Sequence, residues 1–456
     1  MVKEMTLINQ VQGERYRDLL RRLVVLSIPT MIEEILTTLM QYVDTAMVGH
    51  LGEQATAAVS VTTSIGWLAG SIGYSFGAAV LALISRAYGA SDQKRGARLA
   101  GQSMFLTIAI GVILGVVSIV LSPFIPVWMG AEEAIRGQAS LYFTIISIPM
   151  VFRVSSAILG SAVRATQNTK TPMLISVFSN IMNVVLNYFL IYTAGLGVTG
   201  AAIATAVSFT AGGLLDMILF LRTDFFFPER GKKILAGMRP DPKTLREICV
   251  LGVPVMGTSV VSTLGYVVFA GMVSGMGTTI FAAHSIAVTA EEIFYIPGYG
   301  LRTATSALVG AAIGEKNEWK FSAYCRISVA LTVGMMFLSG LVLFFIAKPL
   351  MSLFTPSAAV VEIGSEMLKL VAFSEPFFGL MVVMQGILYG MGRTKYAFFA
   401  EAISMWGVRI LFTYLVVDVW HLSLREVWYC MIACNVCKAV LLTLPFIGKR
   451  RRMVVS

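Results

Sequence analysis

Four residues in the first apolar run of the chain are of types that such a run ordinarily excludes. Asp44 lies inside that run, and Gln41, Thr37 and Glu33 precede it by three, seven and eleven positions. At 3.6 residues per turn, eleven positions return to within about 20° of the start, so the four form one polar, acidic stripe on a helix. An ionisable group in a membrane-length run costs about 2.5–3.5 kcal/mol on insertion scales, which argues for a role. A carboxylate there can hold a cation or exchange a proton, and the stripe is expected to face a wet cavity. Capping of a broken helix is the structural alternative.

A second polar group follows in the fifth and sixth runs. Asn183 and Asn187 are one helical turn apart and share a face, with Asn180 nearby and Thr205 on the next run. Their oxygens could ligate an ion, or their amides could tie helices together. Further along, Glu291 and Glu292 precede Pro297, and Glu375 adjoins Pro376. Proline frees carbonyls in a spanning helix, so Glu375, and after it Glu291, are cation-binding candidates. Glu291 and Glu292 point about 100° apart and cannot both line one wall. Glu401 and Arg409 lie eight apart, about two turns, with Lys438 on the last run; this reads as charge neutralisation between helices, because unpaired buried charge is costly.

Other chemistries find no support. His50, His284 and His421 are isolated, and no HExxH-like metal motif, catalytic dyad or phosphate loop occurs, so neither an enzyme nor a cofactor is expected. Cys430, Cys434 and Cys437 share a helix face but lack a nearby His, and read as small packing residues.

The elements that must position these residues are membrane-spanning helices. A hydrophobic fraction of 57%, only 13% charged residues and a mean hydropathy of +0.79 leave too little charge to cover a soluble surface. Apolar runs of spanning length recur at 24–49, 55–84, 99–122, 139–162, 172–193 and 198–221, and again at 247–274, 279–311, 322–347, 363–390, 396–419 and 424–447. No cleavable leader is read in the segment 1–22. Lys and Arg alternate between rich and nearly empty loops: Arg86 to Arg98, Arg164 with Lys170, the 223–245 linker and the basic tail are rich. By the positive-inside rule both termini are cytoplasmic, in a plasma or inner membrane. The net charge of +10 is thereby a topology signal, and no nucleic-acid partner is expected.

The chain repeats itself. Sliding the sequence along itself until Pro29 falls on Pro254 also places Gly52 on Gly277, Gly73-Tyr74 on Gly298-Tyr299, Gly89 on Gly314 and Thr169-Lys170 on Thr394-Lys395, with no gap. The expected architecture is an all-α integral membrane protein of twelve transmembrane helices, in two pseudo-symmetric six-helix bundles. The expected units are a segment 1–22, an N-lobe 23–222, a linker 223–245, a C-lobe 246–447 and a tail 448–456. Such parallel repeats place a substrate site between the lobes. The same register sets Phe269 opposite Asp44, so the acid belongs to one lobe only.

IPTMIEEILTTLMQYVDTAMVGHLG (28–52), ISRAYGASDQKRGAR (84–98), RATQNTKTPM (164–173), YGMGRTKY (389–396), FSEPF (373–377) and RILF (409–412) resemble, in order and spacing, segments of the multidrug and toxic compound extrusion (MATE) family. The resemblance covers residues 15 to 447. It implies two bundles forming a V and a monomeric antiporter that exports cationic or amphipathic small molecules across the lipid bilayer against H⁺ or Na⁺. In part of that family a carboxylate occupies the position that Asn187 matches, so the amide here throws the coupling role onto Asp44, with Asn183, Asn187 and Thr205 as partners. Glu33 and Gln41 become substrate candidates alongside Glu291 and Glu375. The alternative within the broader superfamily is a lipid-linked precursor flippase. Such a flippase needs cations around a diphosphate, and the first span offers Glu33, Glu34 and Asp44 but none.

Overall fold

The computed structural model of the protein describes residues 16–227 and 239–446. Most of the expected N-terminal segment, the middle of the linker and the basic tail therefore lie outside the described residues. Fourteen helices carry the fold: α1 (Tyr16–Gly49), α2 (Glu53–Gly89), α3 (Gln93–Leu121), α4 (Glu133–Ser147), α5 (Met150–Ala165), α6 (Lys170–Thr193), α7 (Gly197–Leu221), α8 (Pro242–Ser274), α9 (Thr278–Gly314), α10 (Glu318–Phe354), α11 (Ala358–Ala372), α12 (Glu375–Gly390), α13 (Thr394–Val419) and α14 (Leu424–Phe446). Nine of these are long and apolar enough to cross a membrane. The pairs α4–α5 and α11–α12 each make one further span, bent by 48° and 57°. Helix α9 has the length, 37 residues, but holds Glu291, Glu292 and Arg302 in its interior, and it completes the twelve. The protein is thus an all-α membrane protein of two six-span bundles.

The repeat runs through the backbone in detail. In the register that sets Pro29 on Pro254, α2 and α9 start and stop at matching positions, and so do α4 with α11 and α5 with α12. The left-handed positions follow the same register: Gly52 (φ 108°) with Gly277 (φ 115°), Ser91 (53°) with Lys316 (54°), and Gln167 (64°) with Gly392 (63°). Gly52 and Gly277 cap α2 and α9 in a conformation that side chains rarely adopt, which explains why both copies keep glycine there. Asp92 and Asn317 then cap α3 and α10, each accepting from a backbone N–H three residues on, at 2.9 Å.

Helix α8 starts inside the segment read as a linker. Asp241 caps it, accepting from the Lys243 N–H at 3.2 Å and the Thr244 hydroxyl at 2.5 Å. The Thr244 hydroxyl chiefly holds the Asp241 carboxyl below its usual range. Gln102 of α3 brackets this start, donating to the Arg239 carbonyl at 2.7 Å and accepting from the Asp241 N–H at 3.0 Å.

The lobes exchange helix ends. Leu19, Leu23 and Leu26 of α1 pack with Leu301 and Leu308 of α9 and Ile387 of α12, in the core of the C-lobe. Ile248 of α8, the repeat counterpart of Leu23, packs with Ile84 of α2, Leu99 of α3 and Phe220 of α7, in the core of the N-lobe. Further along, α1 keeps a tie to α9, the Tyr42 hydroxyl donating to the Thr289 carbonyl at 3.3 Å, and meets α6 through Asp44.

The ends of α2 and α9 cross at small residues. A Cβ on Gly89 would lie 2.0 Å from the Ala311 carbonyl oxygen, and one on Gly314 2.0 Å from the Arg86 carbonyl oxygen. Position 86 is the repeat counterpart of 311, so the crossing is reciprocal. Arg86 seals it, donating from Nε and Nη2 to the Gly390 carbonyl at 3.3 and 3.2 Å.

Candidate functional site

Above this crossing, α1, α2 and α5 with the middle of α9 enclose a cavity of about 740 Å³, large enough for a drug-sized molecule. It reaches Val48 and Thr56, on either side of the Gly52 turn, and ends near Ser306 and Tyr389. Asp44, Gln41, Thr37 and Glu33 all line it, so the stripe on α1 does face the cavity.

Asp44 sits at the head of a hydrogen-bonded chain. Asn187 donates from Nδ2 to Asp44 Oδ1 at 2.6 Å and to Asn183 Oδ1 at 2.9 Å, and Asn183 donates to Thr205 Oγ1 at 3.3 Å. Asn183 and Asn187 are both 1% exposed, which fixes their rotamers by packing. Asn187 is also the last residue before α6 widens into a π-helical turn, Tyr188–Thr193, a local irregularity common at functional positions. The Asn187 Oδ1 atom is buried without a hydrogen-bond partner among the described residues. An oxygen left open beside a carboxylate is a ligand set that suits a hard cation, and the carboxylate alone suits a proton.

The remaining candidates are placed differently. Glu33 is ion-paired with Arg164, so its charge is already matched. The charge pattern puts Arg164 in a cytoplasmic loop; in the structure it occupies the last turn of α5 and turns into the cavity. Glu291 and Glu375 do not line the cavity but are buried in the C-lobe, 6% and 1% exposed. Glu375 starts α12 just after the bend, where α12 turns inward, and its Oε2 has no hydrogen-bond partner among the described residues.

Glu401 does neutralise a charge, but its partner is Lys438 at 2.6 Å, with the Ser262 hydroxyl donating at 2.6 Å. Arg409 lies instead over the rings of Tyr266 and Phe269, at 5.1 and 5.4 Å. The neutralisation between helices expected of these charges is thus made by Glu401 and Lys438, while Arg409 follows the π-helical stretch Ile403–Ile410 onto the aromatic rings of α8.

Three arginines that the sequence pattern left out of the site line the cavity: Arg153, Arg164 and Arg302. Arg153 donates to the Gly66 carbonyl at 3.0 Å and lies 5.1 Å from the Phe209 ring. Arg302 donates to Gln385 Oε1 at 2.9 Å and to the Tyr74 hydroxyl, and stacks on Tyr299 at 4.7 Å. With Glu33, Glu34 and Asp44 the cavity carries three acids and three guanidiniums. The lining is therefore not free of cations, and their absence no longer excludes a phosphate-bearing substrate. The rule that intramembrane charges are functional by default would have found Arg153 and Arg302.

The MatE family model matches the chain twice, over residues 29–189 and 254–415, and the two matches begin at Pro29 and its repeat counterpart Pro254. The chain belongs to the MatE family. Among similar MatE proteins, a probable multidrug resistance protein NorM of Thermotoga maritima is 29% identical over 458 residues, covering 98% of this chain and 96% of the relative. A second probable NorM, from Bacillus anthracis, is 24% identical over 414 residues, covering 90% of this chain and 91% of the relative. Of the solved structures, an outward-facing multidrug resistance MATE transporter of the MOP superfamily superposes with a TM-score of 0.85 at 22% identity, over 92% of this chain and 94% of the other. This MatE chain shares that fold, and it is a multi-pass membrane transporter.

Proposed function

We propose that this MatE protein is a monomeric secondary active antiporter. It exports cationic or amphipathic small molecules in exchange for H⁺ or Na⁺, by alternating access of its two lobes. The observation that carries this reading is the Asp44–Asn187–Asn183–Thr205 chain opening onto a cavity of about 740 Å³. One carboxylate can hold the coupling ion or a cationic group of the substrate, but not both at once. Mutually exclusive occupancy is what couples two opposed fluxes. The multidrug resistance names of the relatives support the substrate class.

The orientation follows from charge. The turns at Ser91 and Lys316, next to the sealed α2–α9 crossing, belong to loops bearing Lys94, Arg95, Arg98, Lys316 and Lys320. By the positive-inside rule that end is cytoplasmic, in a plasma or inner membrane, and the cavity reaches the outer side. The lipid-linked flippase reading draws support from Arg153, Arg164 and Arg302. The equal number of acids, and the Glu33–Arg164 pair, leave the cavity without the net positive field a diphosphate needs.

The test is uptake of a fluorescent organic cation into proteoliposomes under an imposed pH or Na⁺ gradient. Gradient-dependent accumulation that Asp44→Asn abolishes supports the antiporter. Accumulation indifferent to either gradient overturns it.

A further inference from the structure

Behind the cavity stands an acid that the transport reading does not use. Asp216 is the one charged residue of α7, and it is 5% exposed. Helix α7 crosses α5 at Gly213, where a Cβ would lie 2.1 Å from the Phe152 carbonyl oxygen and the Ser155 hydroxyl donates to the Gly213 carbonyl at 3.0 Å. One turn on, Asp216 faces α5: the Ser156 hydroxyl donates to its carboxylate, and Arg164 stands within Coulombic reach. Ser156, Arg164 and Glu33 line the cavity, and Asp216 does not. Its Oδ1 atom is buried without a hydrogen-bond partner among the described residues.

Two acids therefore share one guanidinium. Arg164 pairs with Glu33, on the cavity side. A Cβ at Gly160, one turn back, would come within 3.1 Å of Arg164 Nη1, so glycine there leaves the guanidinium its space. In the repeat register, positions 33, 164 and 216 fall on Thr258, Tyr389 and Leu441. Thr258 and Tyr389 hydrogen-bond to each other, and Leu441 packs on the core of the C-lobe. The third position is an acid only in the lobe where the pair is charged.

We infer that Asp216 is a positioning residue of the transport cycle, the second seat of the Arg164 guanidinium. With Arg164 on Glu33, the unmatched acid is hidden behind α5. With Arg164 on Asp216, the unmatched acid is Glu33, and it faces the cavity. A turn of one side chain thus moves a negative charge into the cavity with no ion crossing the protein. Either seat keeps the guanidinium matched, as a buried cation requires. The inference rests on the antiport reading for its use: a charge presented in one state and withdrawn in another lets a cation be held and then released.

The experiment measures melting temperatures of the purified full chain in detergent, with no gradient present. Glu33→Gln and Asp216→Asn each leave Arg164 one seat, and the two together leave it none. The double variant is expected to lose more than the sum of the two single shifts. With Arg164→Gln, which leaves no guanidinium to seat, the same two substitutions should add. Additive losses with Arg164 present overturn the inference, since Asp216 would then act through Ser156 alone. A double variant that fails to elute as folded protein while both singles elute is the same expected result at its extreme. If Asp216→Asn alone fails to elute, adding Arg164→Gln decides: recovery supports the shared seat and continued loss ends it. If Glu33→Gln alone fails to elute, Asp216 offers no seat and the inference falls.

The charge shown to the cavity is read with Ser161→Cys, a lining position, as the ratio of its reaction rates with a positively and a negatively charged methanethiosulfonate, by mass spectrometry of that peptide. Asp216→Asn keeps Arg164 on Glu33 and should lower the ratio by about threefold or more, and by less in the Arg164→Gln background. An equal fall in both backgrounds, or none, overturns the release of Glu33. Because neither measurement applies a gradient, both results holding in a chain without ion-driven uptake would sink the antiport reading alone.

Discussion

Asn187 reaches from α6 to α1 and donates to Asp44 at 2.6 Å, while the same nitrogen donates to Asn183 at 2.9 Å. One amide thus ties the acid of the first span to the polar face of the fifth. Asp44→Asn keeps shape and polarity but removes the charge and the titration. Gradient-driven transport is expected to fall below about a tenth of the wild-type rate, with the protein still folded and inserted. A mutant that still concentrates substrate against its gradient would remove Asp44 from the mechanism.

The Glu33–Arg164 pair can be weighed by a double-mutant cycle. Its side chains are 18% and 13% exposed, so either single neutralisation strands a largely buried charge. Glu33→Gln should cost about 2–3 kcal/mol of stability, and Glu33→Gln with Arg164→Gln should recover at least half of that. Thermal unfolding in detergent reads both. Additive losses would mean that the two groups do not act as a pair.

The α2–α9 crossing makes a prediction about access. Gly314→Leu has no room, because a Cβ already lies 2.0 Å from the Arg86 carbonyl oxygen. The sealed end should open. A cysteine replacing Ser306, which lines the cavity, should react with a polar maleimide applied from the sealed side at least about tenfold faster in that background. Unchanged labelling would show that the seal lies elsewhere.

Asp241 gives a pH dependence with a definite sign. Its folded pKa is depressed below the ordinary 3.8, first by the Thr244 hydroxyl. A depressed carboxyl contributes stability that is full above the unfolded value and is lost as pH falls through the folded one. Asp241→Ala should therefore lower the melting temperature at pH 7, by a deficit that shrinks as pH falls below 3.8 and through the folded pKa. A deficit that does not shrink over that range would assign the effect to helix propensity instead.

Much of this fold was legible in the sequence because a repeat is a global signal. The pairing of Ser91 with Lys316 at nearly the same positive φ shows that the backbone keeps what the side chains have lost. The cluster around Asp44 was legible because three polar residues and one acid sit in otherwise apolar helices. The basic side of the cavity was not. Arg164 lies at the end of a run, where a loop cation and a cavity cation look alike. Glu291 and Glu375 show the matching limit: periodicity turns a residue away from lipid, but whether it meets the bundle core or the cavity depends on the neighbouring helix.

The exchange of Leu23 and Ile248 bears on how the protein is made. The first lobe cannot complete its core when its own six spans have left the ribosome, since Ile248 belongs to the seventh. Leu23, made early, has no core to enter until α9 and α12 arrive. Each half on its own is a bundle with a missing wedge, open to chaperones and proteases in the membrane. Severed in the linker and co-expressed, the two fragments should assemble and protect each other. Expressed singly, each should be degraded.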